Sequence, residues 1–375
     1  MFRRRNLKAL YIGHYNENSG WGRVTRDYIL AMDSVGIDVV PRPIRLGQPI
    51  SKLPEKITEL EQKSGYDCDV CIQHVLPHYM KYDSRFTRNI GIYELETKSI
   101  AQTSWIAHLN LMDELWVPCT DMLMVEDVVV PTTLVPHAFD TSIYKKHYDK
   151  LNLPVQDAFS FYFIGEFSRR KHLSALVKAF HTEFTPEEPV ELVIKVNKPG
   201  MGSDQLAQEM VQFCNKIKEN LRLYPDQLRY KPEIIITIDI SDEDILKLHN
   251  TCDCFVMPSY GEAWNIPSFE AMAMGNLVIA SGTGGMKDYI DSERTGFLVN
   301  GNMEPIFGQM ETLPEFGTAR ERWFEISVGS LAKTMRRVYN MDKTKQANIR
   351  NEAHMSVENY SYKTIGEKIK DLLNV

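Results

Sequence analysis

The sequence lacks long apolar runs. No stretch approaches the ~18 consecutive apolar residues that a membrane-spanning helix needs, so we predict no such helix. The first residues, MFRRR, are basic, but the segment LKALYIG that follows has the character of a β-strand and not of the apolar centre of a signal peptide. We therefore expect a protein of the cytoplasm, or one at the periphery of a membrane.

An excess of positive charge is also missing. The chain has 43 Lys and Arg against 50 Asp and Glu, which gives a formal net charge of -7 at pH 7. A general nucleic-acid-binding protein needs a basic face to neutralise phosphates, so this class is disfavoured. Hydrophobic residues make up 43% and charged residues 25%, as in ordinary globular enzymes. A length of 375 residues predicts two domains.

Cysteines are few and scattered. Cys68 and Cys71 have a CxxC spacing, but they lie in a strand-like stretch, whereas a redox pair needs a helix N-terminus to lower its thiol pKa. No second pair completes a zinc site. We therefore predict free, buried thiols in a reducing compartment. The six cysteines are Cys68, Cys71, Cys119, Cys214, Cys252 and Cys254.

Two further motifs are missing. A dinucleotide-binding loop needs G-x-G-x-x-G after the first strand, and GHYNENSGWG at residues 13–22 lacks that spacing. An NAD-dependent oxidoreductase is therefore a disfavoured alternative. The chain also has no convincing Asp-x-Asp metal triad, so we predict a reaction that needs no bound metal ion and no cofactor.

Predicted strands and helices alternate in two series, which is typical of parallel sheets covered by helices on both faces. The first series begins with a strand at Leu7–Ile12 and a helix at Trp21–Ser34, and the second with a strand at Phe159–Ile164. We predict an α/β fold of two doubly wound domains, residues 1–150 and 151–355. A last helix within residues 356–375 is predicted to return to the first domain. Residues 301–322 have little pattern and are predicted to form a surface loop or insertion.

The most informative segment is Ser259–Ile290, SYGEAWNIPSFEAMAMGNLVIASGTGGMKDYI. A strand leads into a loop that holds Glu262, a helix starts near Pro267, and Glu270 lies one turn into it. Loop N–H groups and a helix N-terminus form a site for a diphosphate, and a carboxylate can accept both hydroxyls of a ribose. Ligands of open α/β sheets bind beyond the carboxyl ends of the strands, where this loop lies.

GEAWNIPSFEAMAMGNLVIAS resembles the signature of family four of the retaining glycosyltransferases, also called group 1, which have the GT-B fold of two Rossmann-like domains facing each other across a cleft. The resemblance rests on Glu-x7-Glu, Ala-Met-Ala and a later Gly-Gly turn, and RTGFLV at Arg294–Val299 is similar to the element that follows. Asn265 stands where the family usually has glycine. Because Asn tolerates unusual backbone angles, we expect the loop to keep its shape.

The opening of the second domain, FIGEFSRRKHLSALVKAF, is also similar to that family. The family often has Arg directly after the glycine, where this chain has Glu166. Arg169 or Arg170 must therefore take its place, and we favour Arg170. Arg170 and Lys171 are the cations that we place on the donor diphosphate, with Lys195 as a third. The resemblance implies that Glu262 lies near the reacting sugar and Glu270 on the ribose. Predicted donor-binding residues also include Trp264, Asn265 and Ile266.

The first domain holds weaker matches. NSGWGRVTRDYILA resembles the family's glycine-rich loop, and Gly20 and Gly22 would let the backbone approach a phosphate or an acceptor. Many members place a histidine at a nearby strand end. Here that region offers Tyr93, Glu94 and Glu96, of which we assign Glu94 to the acceptor side or the phosphate loop. His74 and His78 are nearby alternatives. In VPHAFDTSIY, His137 and Asp140 are interpreted as cleft-lining residues.

The resemblance implies a metal-independent, retaining glycosyltransferase that moves a sugar from a UDP- or GDP-sugar to an acceptor hydroxyl. The acceptor can be a glycan, a lipid, a protein or another hydroxyl-bearing molecule. Two alternatives share the architecture. One is a sugar-nucleotide epimerase, and the other is a non-catalytic partner that binds nucleotide sugars.

Overall fold

The computed structural model describes residues 7–45, 52–97, 99–100, 103–155, 158–310 and 318–374. The chain divides into two compact units. The first consists of Met1–Thr141 together with Glu358–Val375, and the second is Ser142–Val357. The division thus falls nine residues before the predicted position between residues 150 and 151, and the last helix is part of the first unit.

The first unit contains a sheet of six parallel strands in the order β2-β1-β3-β4-β5-β6. Its strands are β1 (Lys8–Gly13), β2 (Asp38–Pro43), β3 (Val70–His74), β4 (Arg88–Ile92), β5 (Glu114–Val117) and β6 (Thr132–Leu134). Its helices are α1 (Gly20–Ser34), α2 (Glu55–Glu61), α3 (Trp105–Leu109) and α11 (Tyr362–Leu373). Every residue of β3 is buried, as expected for a central parallel strand.

Helix α11 packs on α1 through a close backbone approach. A Cβ atom at Gly366 would lie only 2.4 Å from the carbonyl oxygen of Ala31, so glycine allows the two helices to meet. At the start of α11, the Tyr362 hydroxyl donates to the Asp27 carboxylate at 2.5 Å. These contacts explain why the chain's last helix belongs to the first unit.

The second unit contains another sheet of six parallel strands, in the order β12-β11-β10-β7-β8-β9. This is the strand order of Rossmann domains. Its strands are β7 (Phe159–Glu166), β8 (Val190–Asn197), β9 (Ile234–Ile236), β10 (Cys254–Met257), β11 (Leu277–Ser281) and β12 (Phe297–Val299). Its helices are α4 (Leu173–Glu183), α5 (Ser203–Leu221), α6 (Asp242–Thr251), α7 (Ile266–Ala273), α8 (Met286–Tyr289), α9 (Val328–Tyr339) and α10 (Lys343–Ser356).

The prediction of a loop over residues 301–322 was wrong in its first part. Strand β13 (Gly301–Pro305) pairs with β14 (Arg322–Ile326) as an antiparallel hairpin. A Cβ atom at Gly301 would lie 2.1 Å from the Glu325 carbonyl oxygen, so glycine permits this pairing. The polar, proline-containing sequence of β13 hid the strand, because it lacks an apolar alternation. Residues 311–317 lie outside the described residues.

All six cysteines are free and buried, as predicted. Burial raises the pKa of the Cys71 thiol to about 12, which argues against a reactive CxxC pair. Among the helices in the described part of the chain, none has both the length and the apolar character to cross a membrane.

Candidate functional site

Two loops of the second unit meet where the strand order of its sheet reverses. Strands β8 and β9 follow β7 on one side, whereas β10 begins the other side and lies directly beside β7. The loop after β7 carries Arg170 and Lys171, and the loop after β10 carries Glu262. In open α/β sheets, ligands bind in the crevice at this topological switch point.

The two loops bring three predicted site residues together as an ion cluster. Lys171 Nζ lies 2.8 Å from Glu262 Oε1, and Arg170 Nη1 lies 3.0 Å from the same oxygen. Arg170 Nη1 also donates to the Gly261 carbonyl oxygen at 2.8 Å. The Glu262 side chain is only 6% exposed, so the carboxylate depends on these cations and not on water.

The cations keep the Glu262 carboxyl group ionised. Burial alone would raise its pKa, but Lys171 and Arg170 outweigh burial and lower the pKa to about 2. The two cations and the one carboxylate together give the cluster a net charge of about +1. Such a site can receive an anion that carries more charge than the carboxylate it already holds.

Backbone and hydroxyl contacts fix the two loops to each other. The Arg170 carbonyl oxygen accepts from Tyr260 N at 2.9 Å and from Ser259 Oγ at 3.2 Å. Ser259 Oγ also lies 3.0 Å from the Gly261 carbonyl oxygen. Lys171 ends a short 3₁₀ helix, and His172 follows with a left-handed backbone at φ 52°. The cations are therefore held on an ordered turn.

The Gly-Gly turn after β11 supports the Glu262 loop from behind. Gly284 has φ 62°, and a Cβ atom there would lie 1.9 Å from the Glu262 carbonyl oxygen. A Cβ atom at Gly285 would lie 2.4 Å from the Ala263 carbonyl oxygen. Gly285 N donates to Glu262 O at 3.2 Å. The glycine pair thus exists because two loop backbones pack against each other.

Asn265 is the N-cap of helix α7 and adopts φ 76°, as expected for a residue in place of glycine. Its Oδ1 accepts from Ser268 N at 2.9 Å and so caps the helix. In contrast, Asn265 Nδ2 and Ser268 Oγ are buried and have no hydrogen-bond partner among the described residues. Since buried polar atoms are normally satisfied, these two indicate a place for a polar ligand.

The other residues predicted to bind the donor have packing partners. Trp264 is buried, and its indole packs against the rings of Tyr289 and Phe269 at centroid distances of 5.1 and 6.0 Å. The indole of Trp264 therefore belongs to the core, whereas its backbone lies in the loop. Ile266 is half-buried and is the first residue of α7.

Glu270 is buried one turn into α7. Its Oε1 accepts from the Tyr144 hydroxyl at 3.5 Å, and its Oε2 lies 3.9 Å from His249 Nε2. The other nitrogen of His249 lies 2.6 Å from the Tyr162 hydroxyl. Both of these distances are long for a hydrogen bond.

Lys195 lies near the carboxyl end of β8 and is buried. Its ammonium donates to the Val196 carbonyl oxygen at 3.2 Å. Burial lowers its pKa, while Asp239 acts in the opposite direction. Within the described residues, this ammonium has no carboxylate at ion-pair distance.

A second polar cluster lies in the first unit, beyond the carboxyl ends of β1, β3 and β4. Its centre is Glu94, which accepts from Trp21 Nε1 at 2.7 Å. His137 Nε2 lies 3.0 Å and His74 Nε2 lies 3.4 Å from Glu94 Oε1. Burial would raise the pKa of Glu94, but the two histidines outweigh it and hold that pKa well below its usual range.

A pocket opens beside Glu94. Its walls include His14, Trp21, His74 and Tyr93. The rings of His14 and Trp21 stack with a centroid distance of 5.9 Å and an interplanar angle of 10°. His14 Nε2 and the Tyr93 hydroxyl are buried and lack a hydrogen-bond partner in the part of the chain that the structure describes. The pocket thus has aromatic walls and two polar atoms that are available for hydrogen bonds to a ligand.

The glycine-rich loop of the first unit positions one wall of this pocket, Trp21, through close backbone packing. Gly20 begins α1, and a Cβ atom at Gly22 would lie 2.2 Å from the Glu17 carbonyl oxygen. Gly22 is therefore needed for the close approach of the preceding loop to the helix. Trp21, between the two glycines, is thereby placed on Glu94.

Several residues of these sites were missed or undervalued by the sequence interpretation. The Trp between two glycines was a signal for Trp21. In contrast, no local pattern marks the stacking of Tyr260 on His172, whose ring centroids lie 4.0 Å apart. His74 and His137 were noted but were not connected with Glu94. Among the described residues, the structure contains no group of three or more His, Cys, Asp or Glu arranged to hold a metal ion.

Most of the second unit is similar to a known protein family. Residues 145–323 match the model of the family "Glycosyl transferases group 1". A D-inositol 3-phosphate glycosyltransferase of Streptomyces avermitilis is 30% identical over 155 residues, which are 41% of this chain and 31% of that protein. The chain spans about a third of the length of the curated relatives that it matches first.

Solved structures resemble the chain over nearly its whole length. Sucrose-phosphate synthase from Thermosynechococcus elongatus has a TM-score of 0.66 at 16% identity, with 98% of each chain covered. HepE of Anabaena, solved in complex with UDP-glucose, has a TM-score of 0.64 at 15% identity and covers 98% of this chain and 99% of its own. These likenesses confirm the predicted GT-B fold.

Proposed function

We propose that this chain, whose residues 145–323 belong to the group 1 glycosyltransferases, transfers a sugar from a nucleoside diphosphate sugar to an acceptor hydroxyl. The reaction proceeds with retention of configuration and needs no metal ion bound to the protein. The observation that carries the proposal is the cluster of Lys171, Arg170 and Glu262 at the switch point of the second sheet. HepE, which shares the fold, was solved with UDP-glucose.

The cations Lys171 and Arg170 bind the diphosphate of the donor. Without a ligand, both are held by Glu262, so they are already oriented when the donor arrives. Cleavage of the sugar–phosphate bond leaves negative charge on the departing diphosphate. Fixed cations that face this charge stabilise the transition state without the reorganisation that water would require. Their permanent charge replaces a metal ion in this role.

The start of α7 completes the donor site. Its N-terminus carries partial positive charge, and the buried Asn265 Nδ2 and Ser268 Oγ supply unsatisfied hydrogen-bonding groups at the same place. Glu262 accepts from a hydroxyl of the sugar, and Glu270 accepts from the ribose. The backbone of Trp264 and Ile266 contributes loop N–H groups, and Lys195 adds a third cation.

The pocket beside Glu94 receives the acceptor. Among the residues that the structure describes, its walls contain no lysine or arginine, whereas they contain an ionised carboxylate. A hydroxyl can donate to Glu94 and exchange hydrogen bonds with His14 Nε2 and the Tyr93 hydroxyl. A phosphate group at this place would be repelled by Glu94. We therefore assign the pocket to a neutral, hydroxyl-bearing part of the acceptor.

Donor turnover in matched variants tests the proposed function. The wild-type chain is screened against UDP-, GDP- and ADP-sugars, and release of the nucleoside diphosphate is measured. We expect Lys171→Ala and Glu262→Ala to slow the accepted donor by about 100-fold or more, because each removes a group that stabilises developing charge.

The matched controls are Lys216→Ala and Glu219→Ala, which remove an exposed Lys–Glu pair on α5 at 3.2 Å. Both controls should keep rates within about two-fold of wild type, as is usual for surface pairs. Near-normal rates in Lys171→Ala and Glu262→Ala would overturn the assignment. A modified donor sugar formed without acceptor would instead reveal an epimerase.

A further inference from the structure

The hairpin of β13 and β14 is joined to the cation-bearing loops by a stack of three rings. Trp323 of β14 stacks on Tyr260 with a centroid distance of 4.0 Å and an interplanar angle of 12°. Tyr260 stacks in turn on His172 at 4.0 Å and 26°. All three residues are buried. His172 directly follows Lys171, and Tyr260 lies two residues before Glu262.

Polar contacts reinforce the stack from the same strand. Glu325 Oε1 lies 3.0 Å from His172 Nε2. The neighbouring residue, Phe324, donates its backbone N–H to the Tyr260 carbonyl oxygen at 2.8 Å. Three consecutive residues of β14 therefore hold the two loops, one through a ring, one through the backbone and one through a carboxylate.

His172 shows why this support is needed. Its φ of 52° lies in the left-handed region, which costs free energy for a residue with a side chain. Such a conformation persists only where surrounding contacts fix it. The ring of Tyr260 and the carboxylate of Glu325 provide these contacts. If His172 relaxed to an ordinary backbone angle, the chain direction at Lys171 would change with it.

We propose that the β13–β14 hairpin is a positioning element for the donor site. Trp323 and Glu325 keep His172 and Tyr260 in place, and through them they set the position of Lys171 relative to Glu262. Neither residue touches the substrate in this role. The inference rests on the proposed function, because the positioned groups are those that we assign to the diphosphate.

Affinity for UDP and GDP, measured by calorimetry on the full chain, tests the proposal. We expect Trp323→Ala to weaken binding about ten-fold and Glu325→Gln about three-fold, which is the range for mutations that act through neighbouring residues. Trp323→Phe keeps an aromatic ring on Tyr260 and should restore affinity to within about two-fold of wild type.

Tyr339→Ala is the matched control. Tyr339 packs on Phe159 at 5.8 Å, and Phe159 is the first residue of β7, at the opposite end of that strand from the cations. This variant should lower the melting temperature and leave the affinity for UDP and GDP unchanged. A crystal structure of Trp323→Ala should show a longer distance between Lys171 Nζ and Glu262 Oε1 than the 2.8 Å of the wild type.

The outcomes separate the two proposals. Unchanged affinity in Trp323→Ala, together with wild-type binding of UDP or GDP, overturns the positioning role and leaves the proposed function intact. Equal losses of affinity in Trp323→Ala and Tyr339→Ala also overturn it, because the effect would then be one of general stability. If the wild-type chain binds neither nucleotide, the same variants are measured with ADP, and a chain that binds none of the three nucleotides overturns both proposals.

Discussion

The two polar clusters of the molecule lie at corresponding places in their sheets but neutralise their carboxylates differently. In the second unit, Glu262 is held by Lys171 and Arg170, which carry charge at every physiological pH. In the first unit, Glu94 is held by His137, His74 and the indole of Trp21. A histidine carries charge only when it is protonated, and an indole carries none.

This difference bears on what each cluster can bind. The cluster of Lys171, Arg170 and Glu262 in the second unit has a surplus of positive charge, which suits a diphosphate. The first unit offers an ionised carboxylate, Glu94. Its partners are two histidines, which are charged only when protonated, and a neutral indole. This arrangement suits a hydroxyl group. The same fold position can therefore serve an anion or a neutral group, depending on which cations the loops supply.

The strongest test of the comparison concerns the backbone beneath Glu262. In Gly284→Ala, the added Cβ would collide with the Glu262 carbonyl oxygen, and the residue would also need φ 62°. We expect a loss of about 4 kcal/mol in the free energy of unfolding and loss of donor turnover, because two backbones must separate. Urea unfolding followed by circular dichroism measures the first effect.

Gly275→Ala is the control for backbone strain. Gly275 has φ 76°, but a Cβ atom there would meet nothing within 4 Å. This variant should therefore lower the free energy of unfolding by only about 1 kcal/mol, which is the strain of an alanine with left-handed backbone angles. Equal losses in the two variants would show that the collision with Glu262 is absent and that the loop is not supported as described.

The second test compares the carboxylates directly. Glu262→Gln should lower the free energy of unfolding by about 3 kcal/mol at pH 7, because two half-buried cations lose their buried partner. Glu94→Gln should lower it by about 2 kcal/mol, the size of a hydrogen-bonded contact to a charged group. A larger loss in Glu94→Gln would contradict the view that the permanent cations make the stronger cluster.

The pH dependence of the Glu262 effect has a definite sign. The folded pKa is about 2 and the ordinary value is 4.5, so protons favour the unfolded state. The stabilisation is complete above pH 4.5 and is lost as the pH falls toward 2. The difference in the free energy of unfolding between wild type and Glu262→Gln should fall at pH 3 to about half of its value at pH 7. A difference that stays constant down to pH 3 would contradict the depressed pKa.

The resemblance to the group 1 family pointed to Glu262, Arg170 and Lys171 as residues of one site. The ion pairs between them were not predicted, but the strand pattern gives a physical reason for them. Glu262 and Lys171 lie in loops that directly follow buried apolar strands, and the carboxyl ends of parallel strands share one edge of a sheet. Their meeting therefore follows from the pattern of strands. The prediction that Arg170 and Lys171 act on a diphosphate is not tested by the structure and stays a prediction.

The first cluster could not be predicted in the same way. Trp21, His74, Glu94 and His137 are far apart in sequence, and only the strand order β1-β3-β4 brings three of their loops together. The hairpin was missed because β13 has no apolar alternation and pairs with a strand 17 residues further on, at Arg322. In both cases, the missing information was tertiary pairing and not local propensity.

The smallest expected effect tests the acceptor side. Trp21→Phe keeps the aromatic wall but removes the N–H that donates to Glu94 at 2.7 Å, which should cost about 1.5 kcal/mol of stability. Trp116→Phe is the matched control, since Trp116 Nε1 donates to Glu114 at 2.8 Å on strand β5 of the same sheet. Both variants should lose similar stability, measured by urea unfolding.

Only Trp21→Phe should change the KM for the acceptor. Because Glu94 would lose one of its donors, its carboxylate should turn or accept other contacts, and the KM for the acceptor should rise about three-fold or more while the KM for the donor stays the same. Trp116→Phe should leave both constants unchanged. If the KM for the donor rises instead, the pocket beside Glu94 belongs to the donor, and the contrast between an anion site in one unit and a hydroxyl site in the other is lost.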